Sequence, residues 1–247
     1  MGKEELQETQ EVEACVDTAA AVTPEVDEVD YLADGDRDAA GEGHHSGMPQ
    51  RRHFVPGGDD PRDAAISETI CDEERAWIGK IFGVDVLKVE LPDGRPARRD
   101  VVRHPGAVAI VALTDDGRIC LVRQFRTALD RVTVEVPAGK LDPGEDPLDC
   151  AHRELLEETG YRAQNMGYLT SIVTSAGFSD EIIHIYMATG LTFAASDPDA
   201  DEFLNVDLVD TGEFIDAVLD GQVEDAKTVV GALAVDAISR RLTASEA

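Results

Sequence analysis

One stretch constrains this 247-residue chain more than any other: GKLDPGEDPLDCAHRELLEETGY, Gly139 to Tyr161. Its middle predicts a helix. Asp146 is a good N-cap, because its carboxylate can accept from a backbone N–H that the first turn leaves unpaired. Pro147 suits the first helical position, and Asp149 puts a negative charge at the positive end of the helix dipole. Gly160 offers the left-handed conformation that ends helices. Leu148, Ala151 and Leu155 recur at spacings of three and four, an apolar stripe expected to face a core. Glu154, Glu157 and Glu158 lie beside that stripe. Like charges at such spacings cost roughly 0.2–0.5 kcal/mol per pair, and Arg153, four residues before Glu157, relieves only part of this. In a chain of formal net charge −29, nothing local favours the cluster. A hard divalent cation reverses the sign, since Mg2+ takes carboxylate, phosphate and water oxygens. An isolated pair of glutamates reads more simply as a solvated helix face, but here the cluster does not stand alone.

Gly139, Glu145, Arg153, Glu154, Leu155, Glu157, Glu158, Gly160 and Tyr161 together resemble the Nudix box. That pattern runs Gly, five residues, Glu, seven residues, Arg-Glu-apolar, any residue, Glu-Glu, any residue, Gly-apolar. Tyr161 is aromatic where an aliphatic residue is commoner. The resemblance implies an α/β/α sandwich and cleavage of a nucleoside diphosphate linked to another moiety. It further implies a divalent cation, Mg2+ with Mn2+ as the alternative, held by Glu154 and Glu158 with Glu157 as a further ligand. Arg153 is then the residue that orients the glutamates.

Charge is uneven along the chain. Residues 1–50 hold fourteen Asp and Glu against Lys3 and Arg37, and no basic patch appears anywhere, which argues against nucleic acid and anionic membranes as partners. Residues 1–65 have almost no apolar periodicity and read as a disordered acidic extension, in which His44, His45 and His53 carry little weight as a metal tract. Cys15, Cys71, Cys120 and Cys150 show no CxxC spacing and read as reduced thiols of a cytoplasmic protein; Cys150 is expected to be a packing residue rather than a nucleophile. No apolar run is long enough to span a membrane.

From Ala65 onward, strands and turns alternate. Val84–Leu91 and Arg99–His104 flank the turn Pro92-Asp93-Gly94, and Ala107–Leu113 and Ile119–Phe125 flank Asp115-Asp116-Gly117, predicting two hairpins. Val132–Val136 leads into the box. Asn165–Thr174, Ile182–Ala188 and Phe203–Val209 read as later strands, and Thr211–Leu219 and Asp225–Arg241 as helices separated at Gly221. Strands mixed with few helices, without regular βαβ alternation, predict an α+β fold with a mixed sheet. The expected division is an acidic extension (1–65), a small antiparallel β subdomain (66–104) and a catalytic domain (105–247).

Flanking segments resemble the ADP-ribose pyrophosphatases within the family. They are Arg99-Asp100-Val101-Val102, His104-Pro105-Gly106-Ala107-Val108, Val122-Arg123-Gln124-Phe125-Arg126, Glu135-Val136-Pro137-Ala138-Gly139-Lys140, Gly177-Phe178-Ser179-Asp180-Glu181 and Asp225-Ala226-Lys227-Thr228. The resemblance implies Mg2+-dependent hydrolysis of ADP-ribose to AMP and ribose 5-phosphate. It also implies a homodimer whose N-terminal strands reach the partner, Ala138 as a carbonyl metal ligand, and an acid in the 197–202 loop that removes a proton from water. Glu202, anchored beside Phe203, is the first choice for that acid, with Asp201 as the alternative. A diphosphate needs planar guanidinium groups, for which Arg126 and Arg99 are the candidates; Arg123 should point away from Gln124 by strand alternation. Glu135 is a candidate for substrate hydroxyls. The departure is Ala176, where this subfamily usually has a proline that would stiffen the loop. Two alternatives stay open: a broader nucleoside-diphosphate-sugar or dinucleoside diphosphate hydrolase, and a non-catalytic nucleotide-binding regulator, a class that usually lacks the box glutamates.

Overall fold

The computed structural model describes Phe54, residues 56–195 and residues 203–245. Most of the acidic extension, including Cys15, His44, His45 and His53, lies outside the described residues, as do Asp201 and Glu202. Among the described residues there are ten strands and three α-helices. In chain order the strands are β1 (Thr69–Ile78), β2 (Gly83–Glu90), β3 (Pro96–Arg103), β4 (Ala107–Leu113), β5 (Arg118–Arg126), β6 (Arg131–Glu135), β7 (Ala138–Lys140), β8 (Tyr161–Val173), β9 (Ile182–Phe193) and β10 (Leu204–Asp210). The helices are α1 (Pro147–Thr159), α2 (Thr211–Leu219) and α3 (Ala226–Ser245).

Ala107–Leu113 explains the architecture. Its unbroken apolar run is what a strand covered on both faces requires. Along β4, Ala107, Ala109 and Val111 face one core with Leu121, Ile185, Phe214, Ile215 and Val235, drawn from β5, β9, α2 and α3. Val108, Ile110 and Ala112 face the other core with Cys150, Ala151 and Leu155 of α1. Helices therefore cover both faces of a seven-stranded sheet, ordered β10-β5-β4-β9-β8, with β6 on β5 and β7 on β4. The β4–β9 pair is parallel and the others are antiparallel, so the sheet is mixed, as expected.

Helix α1 forms for the reasons its sequence predicts. Asp146 accepts from Leu148 N–H at 2.8 Å, and Gly160 ends the helix at φ 74 with its N–H on the Leu156 carbonyl at 2.8 Å. The buried stripe differs in one position: Leu148 is 39% exposed, while Cys150 is fully buried with Ala151 and Leu155. Leu148 sits in the first turn, and the shorter Cys150 joins the core in its place. Burial pushes the Cys120 and Cys150 thiols up to about 12, which makes them inert packing groups.

The N-terminal sheet has three strands, β1-β2-β3, where the sequence predicts a two-stranded hairpin. Strand β1 escapes a periodicity reading because all ten of its residues are exposed and Asp72, Glu73, Glu74 and Arg75 fill its middle. Backbone pairing with β2 defines it instead. The short β7 is equally illegible in isolation, since only its pairing with β4 makes Ala138–Lys140 a strand. This small sheet is fastened to the rest by the loop after β8: Val102 N–H donates to the Phe178 carbonyl, and Asp180 N–H to the Val102 carbonyl. Removing the central contact of α1 is expected to be costly. Leu155→Ala should lower unfolding free energy by about 2–5 kcal/mol in a denaturant titration.

Candidate active site

Two carboxylates of α1, those of Glu154 and Glu157, are held by one guanidinium. Arg153 grips Glu145 with two N–H donors, at 2.9 and 2.8 Å, and its Nη1 donates to Glu154 at 2.8 Å and Glu157 at 3.0 Å. Its Nη2 also reaches the Lys140 carbonyl at 3.2 Å. Glu145 in turn closes its own loop, accepting from Asp142 N–H at 3.0 Å. The Arg153 guanidinium holds the Glu145 carboxyl down at about 2, so the pair stays charged at any physiological pH.

Beneath the helix, β7 shapes the floor. The Glu154 carboxylate lies over Gly139 so closely that a Cβ there would stand 1.9 Å from its Cδ. No residue other than glycine leaves that space, which accounts physically for the first position of the box. Ala138 N–H donates to Glu158 at 3.0 Å. Glu154 and Glu158 are only 9% and 3% exposed, so two carboxylates are held in a largely dry place. Among the described residues no three His, Cys, Asp or Glu side chains converge on one point, and Arg153 Nη1 contacts both Glu154 and Glu157. What faces the cleft is an oxygen-only donor set, Glu154, Glu157 and Glu158 beside Ala138, and that chemistry fits a hard divalent cation.

The cleft measures about 770 Å3 and is also lined by Lys80, Ile81, His104, Gln124, Arg126, Glu181 and Lys227. Gln124 and Arg126 share a face of β5, whereas Arg123 points elsewhere and pairs with Asp207 at 2.6 Å, as alternation requires. Arg126 donates twice to Glu135, at 2.7 and 2.6 Å, using two of its five N–H groups. Glu135 is 2% exposed and also takes Lys227 and the Thr133 hydroxyl. The structure thus makes Glu135 the anchor of two cations, and its oxygens are engaged by the protein rather than presented to a ligand. Lys227 donates to Asp225 as well, at 2.9 Å, and Thr228 joins this group to the strand through Val136 N–H at 2.9 Å. Arg99 does not line the cleft; it pairs with Glu68 at 2.5 Å.

Lys227, His104 and Glu181 belong to segments singled out in the sequence, but nothing there assigned them a role. His104 is placed by Asp180, which accepts its N–H at 2.9 Å, and its ring lies 3.4 Å from Glu181. The signal for Lys227 was its place beside Asp225 and Thr228. Its partner Glu135 is 92 residues away, a pairing only the fold brings about.

An oxygen-donor helix face and fixed cations lining the same cleft define a hydrolase of phosphoric anhydrides. Comparison with known proteins agrees. Residues 103–230 match the model of the NUDIX domain. The chain is 44% identical over 167 residues to a methanol dehydrogenase activator of Bacillus methanolicus, covering 67% of this chain and 90% of that protein. It is 43% identical over 166 residues to an ADP-ribose pyrophosphatase of Bacillus subtilis, covering 66% and 90%. An ADP-ribose pyrophosphatase of Mycobacterium tuberculosis is 39% identical over 177 residues, covering 70% and 84%. A solved ADP compounds hydrolase superposes with a TM-score of 0.62 over 71% of this chain and 95% of that one, at 23% identity, a likeness of fold. The chain belongs to the Nudix family, as one of its hydrolases acting on diphosphate bonds; such hydrolases generally require a divalent cation. No described helix is long and apolar enough to cross a membrane.

Burial alone would raise the Glu135 carboxyl, but Arg126 and Lys227 bring it down from 4.5 to about 2. A carboxyl depressed on folding adds stability that is fully present above about pH 4.5 and is lost as the pH falls toward about 2. Melting temperature followed over that window should therefore fall in the wild type. Glu135→Gln should be less stable at neutral pH and show a flatter decline through the same window.

Proposed function

We propose that this chain hydrolyses ADP-ribose to AMP and ribose 5-phosphate with Mg2+ as the cation. The observation that carries the reading is the meeting, in one cleft, of the Glu154–Glu157–Glu158 face with Arg126 and Lys227, the two cations that buried Glu135 holds from behind. Two relatives that bear the name ADP-ribose pyrophosphatase, 43% and 39% identical, support the choice of substrate.

In this reading Glu154, Glu158 and the Ala138 carbonyl hold the cation, with Glu157 as a further ligand. Bound there, the cation lowers the pKa of its water and stabilises charge on the phosphate oxygens. Arg153 orients the glutamates. Arg126, fixed in direction by buried Glu135, offers its remaining N–H donors to the diphosphate, and Lys227 adds positive potential beside it. Glu202, or Asp201 in its place, removes the proton from the attacking water.

We also propose a homodimer in which Arg99 reaches the partner's substrate. Among the described residues the small sheet ends at its outer strand β1, whose far edge has no strand partner and which carries exposed Ile70, Trp77 and Ile78. Exposed apolar groups on a sheet edge invite a partner. The three-part division at residues 65 and 104 belongs to the same proposal.

A broader nucleoside-diphosphate substrate range is the second reading, favoured by Ala176 and by GDP-mannose pyrophosphatase relatives such as one of Cronobacter sakazakii, 31% identical. Against a loose loop, Phe178 and Ser179 N–H both donate to the Ser175 carbonyl, at 3.0 and 2.9 Å, so the turn closes without proline.

Incubation with Mg2+ and a panel of nucleoside diphosphates is the direct test. ADP-ribose should be the best substrate and give AMP plus ribose 5-phosphate; a better turnover of another member sinks the assignment. Glu158→Gln should abolish most activity while circular dichroism stays unchanged. Glu202→Gln should lower kcat by about 10²–10⁴-fold, and if Asp201→Asn alone does so the base is Asp201. Light scattering is expected to give twice the chain mass, and a fully active monomer would contradict the dimer.

A further inference from the structure

We infer that a second cavity, adjoining the cleft at Arg126 and Lys227, holds the base of the substrate's nucleoside, and that Gln222 selects adenine there. This rests on the diphosphate-hydrolase reading and deepens it, by assigning a place to the part of the substrate that lies beyond the diphosphate.

The cavity measures about 550 Å3 and lies between the β5–β6 hairpin and the loop from α2 to α3. Two clasps hold these walls together. Arg131 of the hairpin pairs with Glu224 of the loop, and Glu135 of the hairpin with Lys227 at the start of α3. The tip of the hairpin is a single 3-10 turn, Thr127–Leu129, closed by Asp130 in the left-handed region at φ 52. Among the described residues no other non-glycine has a positive φ, and such backbone persists where its surroundings fix it. On the opposite wall Gly221, at φ 73, ends α2, and the Gln222 N–H donates to the Ala217 carbonyl at 2.9 Å. Backbone geometry and ion pairs thus preform both walls.

Arg126 and Lys227 are the two residues that line both this cavity and the cleft. A diphosphate held between them and the glutamate face has one substituent directed toward the cavity and the other left in the cleft. The two surfaces sort the substituents. Leu129, Val132, Val134 and Val223 give the cavity apolar walls, on which the faces of a flat base can stack. A ribose carries hydroxyls all round and suits the cleft, where His104, Asp142 and Glu181 offer polar partners. The edge of the base is read by a different group. Of the polar side chains lining the cavity, Gln222 alone has no partner among the described residues, the others being hydrogen-bonded or ion-paired within the chain. Its amide offers an acceptor beside its donors. Adenine presents an N6 amino donor next to the N7 acceptor, which that amide meets with two hydrogen bonds, whereas guanine presents two acceptors, O6 and N7. Gln222 therefore favours adenine, and the apolar walls are indifferent to the base.

The test uses the full chain with Mg2+, comparing ADP-ribose with GDP-ribose, which differs only in the base. Wild type should favour ADP-ribose in kcat/KM by about tenfold, as one bidentate contact predicts. Gln222→Leu should raise the KM for ADP-ribose about tenfold, change kcat much less, and bring the two substrates to within about twofold of each other. Leu129→Ala should raise the KM for both substrates alike. Both positions are exposed, so the variants should fold. An unchanged KM in Gln222→Leu, a loss confined to kcat, or a raised KM with the adenine preference intact overturns the inference. A wrong substrate reading shows separately, as wild type failing on ADP-ribose. The cavity is then judged by calorimetric binding of AMP and GMP: tighter AMP binding by the wild type that Gln222→Leu loses supports it, and equal AMP binding by both proteins overturns it.

Discussion

The guanidinium of Arg153 is the point on which the site depends. A helix that places three glutamates on adjacent turns is unfavourable in a chain this acidic unless something supplies positive charge at fixed positions. Arg153 does so with planar, directional donors to Glu145, Glu154 and Glu157. Lysine could supply the charge but not the fork. The bidentate grip on Glu145 sets the orientation of the guanidinium, and the opposite nitrogen then sets the two helix carboxylates. Gly139 completes the arrangement from below, by leaving the space the Glu154 carboxylate fills.

A second centre, Arg126–Glu135–Lys227, works by the opposite logic. Here a buried carboxylate organises two cations, and its burial is tolerable only because both oxygens are paired. The two centres lie on elements that meet at β4: α1 covers one face of the sheet and α3 the other, and both reach the cleft at its edge. The strand covered on both faces lies between the helix that carries the acids and the helix that carries Lys227. The small sheet joins them through a third set of ion pairs, centred on Asp85 and continuing through Arg103 to Asp180. Three clusters of charge thus do the positioning, and the apolar cores keep them apart.

Much of this was legible in the residues. Asp146, Pro147 and Gly160 bounded α1, because capping chemistry is local. The apolar run Ala107–Leu113 marked the central strand, and Asp-Gly turns marked the hairpins. Other features were not legible. β1 carries its charged residues on an exposed strand, so no apolar period announces it. Leu148 fits the helical stripe by spacing, yet spacing says nothing of which stripe residues the neighbouring elements cover. Glu135 invited a role at the ligand because an acid in a matched segment does so; only the approach of Arg126, Thr133 and Lys227 in the fold showed that its oxygens are engaged within the protein.

By itself the sequence determined the acid-bearing helix, its caps and the clustering of three glutamates along it. These follow from spacing along a single element, where covalent geometry sets who is near whom. The tertiary structure alone decided which cations meet which acids. Glu135 with Lys227, Arg103 with Asp180 and Lys80 with the cleft are separated by long stretches of chain, and like-charged candidates stand at many positions along it. Coulomb attraction does not discriminate among them. Backbone pairing and the packing of two cores do, because they fix the side chains' positions before the charges can choose.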